Sequence, residues 1–112
     1  MMFKKREETL FIYIVLKDNL PKDFDKDSLF REARLRGELD TGYHFILHNT
    51  VILEADRDKD CVAQYDFPEY RTSLYVLAES IKGKLTDAQK IIIKRDILPL
   101  YPDAEVLEVK SE

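Results

Sequence analysis

The chain is short of the residues from which metal cages, disulfide frameworks and phosphate loops are built. Its 112 residues include one cysteine, Cys61, and two histidines, His44 and His48. A single cysteine excludes an internal disulfide framework and fits a reducing compartment. Only three glycines are present, each isolated, so no glycine-rich phosphate loop can form. No apolar run approaches the roughly 20 residues needed to span a bilayer. Positive charge is not in excess either. The formal net charge of −4 argues against direct nucleic-acid binding, which needs a dense cationic surface. Nucleophiles lack their usual company. Cys61 has no neighbouring histidine or helix start to lower its pKa, and Ser28, Ser73 and Ser80 sit in no motif.

What is present is enough for a folded core. Hydrophobic residues make up 45% of the chain, and a mass of 13.2 kDa suits one domain spanning residues 1–112. Met1-Met2-Phe3-Lys4-Lys5-Arg6 is basic, but Glu7 and Glu8 follow, and the apolar run after them has no small-residue cleavage site. A cytosolic strand behind a charged leader is the expectation.

Residues 9–16, Thr-Leu-Phe-Ile-Tyr-Ile-Val-Leu, predict a central strand covered on both faces. A loop from Lys17 to Phe24 follows. A short helix is expected over residues 28–36, capped by Asp27 or Ser28 and ended by Gly37. Residues 43–47 and 51–54 predict a hairpin with its turn at His48-Asn49-Thr50, because asparagine tolerates unusual turn angles. Strand periodicity puts Tyr43, Phe45 and Leu47 on one face and His44, Ile46 and His48 on the other. Asp56 to Asp60 reads as a solvated loop. Cys61 to Tyr65 reads as a short strand or a crossing segment, and Phe67 to Tyr70 as a turn with two exposed aromatics. Residues 73–78 predict a buried strand. Thr86 and Gln89 form a capping box for a helix running to Leu98, where Pro99 stops it. Alternating apolar and acidic residues over 104–109 predict a half-exposed strand. The sum is an α/β (α+β) domain, a mixed sheet of about five strands with helices packed on it.

The run Leu39-Asp40-x-Gly42-Tyr43-His44-Phe45, followed by a hairpin and an Arg-Asp pair, resembles the core of small bacteriophage lysozymes. These are zinc amidases, type-2 N-acetylmuramoyl-L-alanine amidases related to peptidoglycan recognition proteins. The resemblance implies an amidase-like fold. It also implies a zinc held by a histidine of the first strand, with a histidine and a cysteine-type ligand after the last core strand. Tyr13 and Ile14 stand where the first histidine belongs, and Glu112 falls where the later ligands would begin. The expectation is therefore a domain shortened at its C-terminus, with no metal, no cofactor and zinc amidase activity lost. His44 and His48 could not make good the deficit. They are four residues apart on one strand face, about 13 Å at 3.3 Å per residue.

Within that resemblance Tyr43 matches the tyrosine near the zinc-bound water, and Tyr43 and His44 are vestigial candidates for catalysis. Without a metal, Tyr43 is expected to be a strand-start tyrosine, His44 a hydrogen-bonded structural histidine and His48 an exposed turn residue. Tyr65, Phe67, Tyr70 and Arg71, in a loop with Pro68, are residue types that anchor protein interfaces, and are the predicted partner-binding set. Phage lysozymes of this family also bind and restrain a phage RNA polymerase. The resemblance thus implies a non-catalytic phage protein in the host cytoplasm that binds and modifies or inhibits a host or phage enzyme. Candidate partners are RNA polymerase, a tRNA synthetase such as the valyl enzyme, or a defence protein. The alternative is a residual peptidoglycan-binding module or amidase.

Overall fold

A computed structural model of the chain describes residues 4–18, 31, 35, 42–55, 58–63, 65 and 67–110. The elements are β1 (Phe11–Asp18), β2 (Phe45–His48), β3 (Val51–Glu54), β4 (Ser73–Ser80), α1 (Asp87–Asp96), a 3-10 turn (Leu98–Leu100) and β5 (Glu105–Lys110). They build one five-stranded mixed sheet in the order β3-β2-β4-β1-β5. β1 runs parallel to β4 and β5, β2 runs parallel to β4, and only β3 is antiparallel to its neighbour.

The two central strands explain the apolar runs. β4 is buried at every position but one, and β1 carries Ile12, Ile14 and Leu16 on one face and Val15 on the other. A strand with neighbours on both sides and cover on both faces has no solvated side to make polar. On one face Ile12, Ile14, Leu47, Leu74 and Val76 meet Ile93 and Ile97 from the end of α1. Ile93 and Ile97 are 5% and 1% exposed; burial of each contributes about 1.5–3 kcal/mol. On the other face Val15, Ile46, Tyr75 and Leu77 are packed by Ala63 and by Tyr13, Tyr43, Phe67 and Tyr70.

The expected capping box is present. Gln89 donates its amide to Thr86 Oγ1 (3.2 Å), and Thr86 donates its own to Gln89 Oε1 (2.9 Å). Gln89 is also buried, and its Nε2 donates to the Glu79 carbonyl at 2.7 Å, tying the helix start to β4. The helix ends at Asp96, before the expected Leu98, and Pro99 sits inside the 3-10 turn. The hairpin closes through Asn49, whose φ of 56° is the left-handed value that favours asparagine in a turn.

Strand boundaries move as well, β4 running on to Ser80. β1 begins at Phe11 and runs through Lys17 and Asp18, which pair with Glu79 and Ser80 of β4. β5 begins at Glu105 and ends at Lys110. The helix expected over residues 28–36 lies largely outside the described residues; Arg31 and Leu35 are helical.

Candidate functional site

The motif histidine is buried at the hairpin entrance. His44 is 1% exposed. Its backbone N–H donates to the Tyr75 carbonyl (2.9 Å), and its ring Nδ1 accepts the Tyr75 N–H (3.0 Å). An accepting Nδ1 places the ring hydrogen on Nε2, so the hydrogen-bond network assigns that tautomer. Nε2 then donates to the Cys61 carbonyl at 2.8 Å. Both ring nitrogens are therefore engaged by backbone groups, one on β4 and one at Cys61, which is bridged to Lys5.

Arg6 closes the same corner. Its Nη1 donates to the Cys61 carbonyl (2.7 Å), Nε to Thr9 Oγ1 (2.7 Å) and Nη2 to the Tyr101 hydroxyl (2.9 Å). Nη1 also lies 3.4 Å from His44 Nε2. Two donors do not bond each other; both are aimed at one carbonyl oxygen. The backbone around Arg6 is fixed as well. Arg6 N–H donates to the Asp60 carbonyl and Val62 N–H to the Lys4 carbonyl, forming an antiparallel bridge between Lys5 and Cys61. A cleft of about 420 Å³ opens beside this corner, with His44, Glu54, Asp58, Lys59 and Asp60 on its walls.

An aromatic stack lies on the same face of the sheet. Tyr13 and Tyr75, opposite each other on β1 and β4, stack with centroids 4.9 Å apart and planes 11° from parallel. Phe67 packs on Tyr75 at 4.7 Å and Tyr43 on Phe67 at 5.2 Å. The Tyr75 hydroxyl donates to the Pro68 carbonyl at 2.6 Å. Burial, then the neighbouring tyrosines Tyr13 and Tyr43, pushes the Tyr75 phenol well above its ordinary value. The Tyr13 phenol is also raised, first by desolvation and then by Glu69 and Glu105.

No protein-family model matches this sequence, and no curated protein matches it. Solved structures do. The endolysin N-acetylmuramoyl-L-alanine amidase LysCS from Clostridium intestinale URNW superposes with a TM-score of 0.64 at 15% identity, over 95% of this chain and 69% of that one. The N-acetylmuramoyl-L-alanine amidase LysC from the same organism gives 0.64 and 15%, over 95% and 70%. The chain has an amidase-like fold. At this identity the likeness concerns the fold alone.

Among the described residues no three of His, Cys, Asp or Glu come together in a group that could hold a metal. His44 offers backbone-bonded nitrogens, and Tyr13 faces a ring. His48, expected as an exposed turn residue, is half-buried at the end of β2, with Nε2 3.4 Å from Glu79 Oε2.

The predicted site residues divide. Tyr43 packs with Ile46 rather than with Phe45 and Leu47, because β2 begins only at Phe45 and the two-residue period does not reach back to Tyr43. Phe67 and Tyr70 form the expected turn, but both are half-buried: their segment folds over the sheet and covers Tyr75. Tyr65 is 76% exposed and Arg71 is exposed. Arg71 Nε donates to the Tyr70 hydroxyl at 2.9 Å. Sequence reasoning missed Arg6, Tyr75 and Tyr101. Tyr75 had a readable signal, since strand periodicity places it on one face with Leu77. Arg6 and Tyr101 had none, for their contacts span most of the chain.

Proposed function

We propose that the chain is a non-catalytic phage protein that uses an amidase-like scaffold to bind a host or phage enzyme in the host cytoplasm. The observation that carries this reading is the state of the motif Gly42-Tyr43-His44-Phe45. Its histidine holds Tyr75 and Cys61 backbone groups with its two ring nitrogens, and its tyrosine packs on Phe67. A histidine so engaged has no free lone pair for a metal or a substrate proton. The described residues also contain no helix long and apolar enough to cross a membrane.

The contact surface of this reading is Tyr65 and Arg71, with Phe67 and Tyr70, packed on the sheet, completing the set. The enzyme bound is RNA polymerase, a tRNA synthetase such as the valyl enzyme, or a defence protein. Binding restrains or alters its activity.

Two measurements test this. Metal analysis of the purified protein, paired with an assay of peptide release from cell-wall fragments, is expected to give neither stoichiometric zinc nor release. Both together would return the chain to the amidases. Affinity capture from infected cells, read by mass spectrometry, is expected to recover one enzyme and to lose it on Tyr65→Ala/Arg71→Ala. Recovery of muropeptides instead would favour a peptidoglycan-binding module.

A further inference from the structure

We propose that the outer edge of β5, unpaired among the described residues, is a strand-addition site for an extended, basic segment of a partner protein. Natural sheets protect their edges with charged side chains, proline, bulges, short strands or a covering helix or loop. β5 carries three charges, Glu105, Glu108 and Lys110, but no proline or bulge, and no described strand pairs with its outer edge. It pairs with β1 in unbroken register over six residues, from Phe11↔Glu105 to Leu16↔Lys110, with no proline and no bulge. Five of its six residues are exposed, including Val106 at 40% and Val109 at 39%.

The ladder fixes which backbone groups are free. Glu105 donates its N–H to the Leu10 carbonyl at 2.9 Å. In a parallel ladder alternate residues turn both backbone groups to the same neighbour. Leu107 and Val109 therefore face β1, while Val106, Glu108 and Lys110 present N–H and C=O outward. Those three residues are the template an incoming strand would pair with.

Charge selects the occupant. Glu105 shares the Tyr13 face and Glu108 the helix face, so an incoming strand meets a carboxylate on each side. Asp103 precedes the strand and lines, with Glu7, Glu8, Asp60 and one cation, Arg6, a cleft of about 350 Å³. Lys110 does not balance this row. Its side chain lies over Gly83, and its charge acts on Asp18. A second copy is disfavoured. Antiparallel self-pairing must match residues on the same face, so its central registers are Leu107 or Glu108 against itself. The first sets the two Glu108 side chains diagonally, the second directly opposite, and like charges so placed repel. Lysine or arginine alternating with small apolar residues fits both the acids and Val106 and Val109.

This edge is two strands away from β4, which the Tyr65–Arg71 loop leads into, so the two contacts fail separately. The probe is a fluorescent peptide of alternating lysine and valine, read by polarisation. Saturable binding is expected, weakened about tenfold by Glu105→Lys/Glu108→Lys. Val106→Pro, which removes an outward amide and no charge, is expected to weaken it while Val106→Ala does not. Should Val106→Pro fail to fold by circular dichroism, the same peptide methylated on alternate amides replaces it and is expected not to bind. No binding by the lysine peptide, equal binding by a glutamate–valine peptide, or indifference to both the charge reversal and the amide loss would overturn the site. A concentration-dependent dimer abolished by Val106→Pro would overturn the choice of occupant. None of these outcomes touches enzyme capture through Tyr65 and Arg71.

Discussion

Replacing His44 with alanine removes the acceptor for the Tyr75 N–H, 3.0 Å from Nδ1, and one of two donors to the Cys61 carbonyl. A buried amide left without a partner costs about 1–3 kcal/mol. The cavity left by a fully buried ring adds about 2 kcal/mol or more. The expected loss is therefore about 3–5 kcal/mol, a large part of the roughly 5–15 kcal/mol that a small domain has. His44→Asn separates the two bonds. Asparagine Oδ1 stands where Nδ1 stood and can accept from Tyr75. It cannot reach Cys61, whose carbonyl keeps the Arg6 bond at 2.7 Å. Its expected loss is about 1–2 kcal/mol. Urea unfolding measures both, with an expected order of native, then His44→Asn, then His44→Ala. Amide exchange at Tyr75 gives the local reading: slow in the native chain and in His44→Asn, faster in His44→Ala. Equal losses for the two variants, or a loss below about 3 kcal/mol for His44→Ala, would refute the bracket.

The helix start and the strand ends supply two more tests. Thr86→Ala removes one capping bond and is expected to cost about 1 kcal/mol, while Gln89→Ala also removes the donor to the part-buried Glu79 carbonyl and should cost more, both by urea unfolding. Asp18 accepts from the Ser80 hydroxyl and, at 3.0 Å, from the Gly83 amide; these bonds, the hydroxyl first, hold its carboxyl below the ordinary value. Its stabilising contribution is therefore complete above the unfolded pKa of about 3.9 and is lost as pH falls through the lower folded value. The stability gap between the native chain and Asp18→Asn should be constant near neutral pH and shrink below about pH 4. A gap that widens with acid would show the sign to be wrong.

Local patterns carried much of the fold in the sequence. The capping box, the asparagine turn and the apolar run of β4 are each decided within a few residues, and each stands where the sequence places it. Lys17 and Asp18 read as loop because they are charged. They are strand because their β4 partners Glu79 and Ser80 continue beside them. Phe67 and Tyr70 read as exposed because turns are. Their burial depends on a segment folding back over Tyr75, which no local pattern records. Arg6 lies 55 residues from Cys61 and 95 from Tyr101, so its part in the corner is written only in the tertiary structure.

That corner bears on what an amidase-like scaffold can do here. Three separate pieces of chain, the leader at Arg6, the hairpin entrance at His44 and the segment at Cys61, converge on one carbonyl oxygen. A constellation of backbone bonds at a motif histidine ties the hairpin entrance to β4 and to the Cys61 carbonyl. Catalysis asks the opposite of such a side chain, a lone pair left open towards a cleft. Binding asks only that the surface around it be held still, since a rigid surface loses less entropy when a partner docks. With its ring nitrogens turned to the backbone, His44 holds the hairpin entrance and the Cys61 carbonyl in place, and the proposed binding role rests on that rigidity.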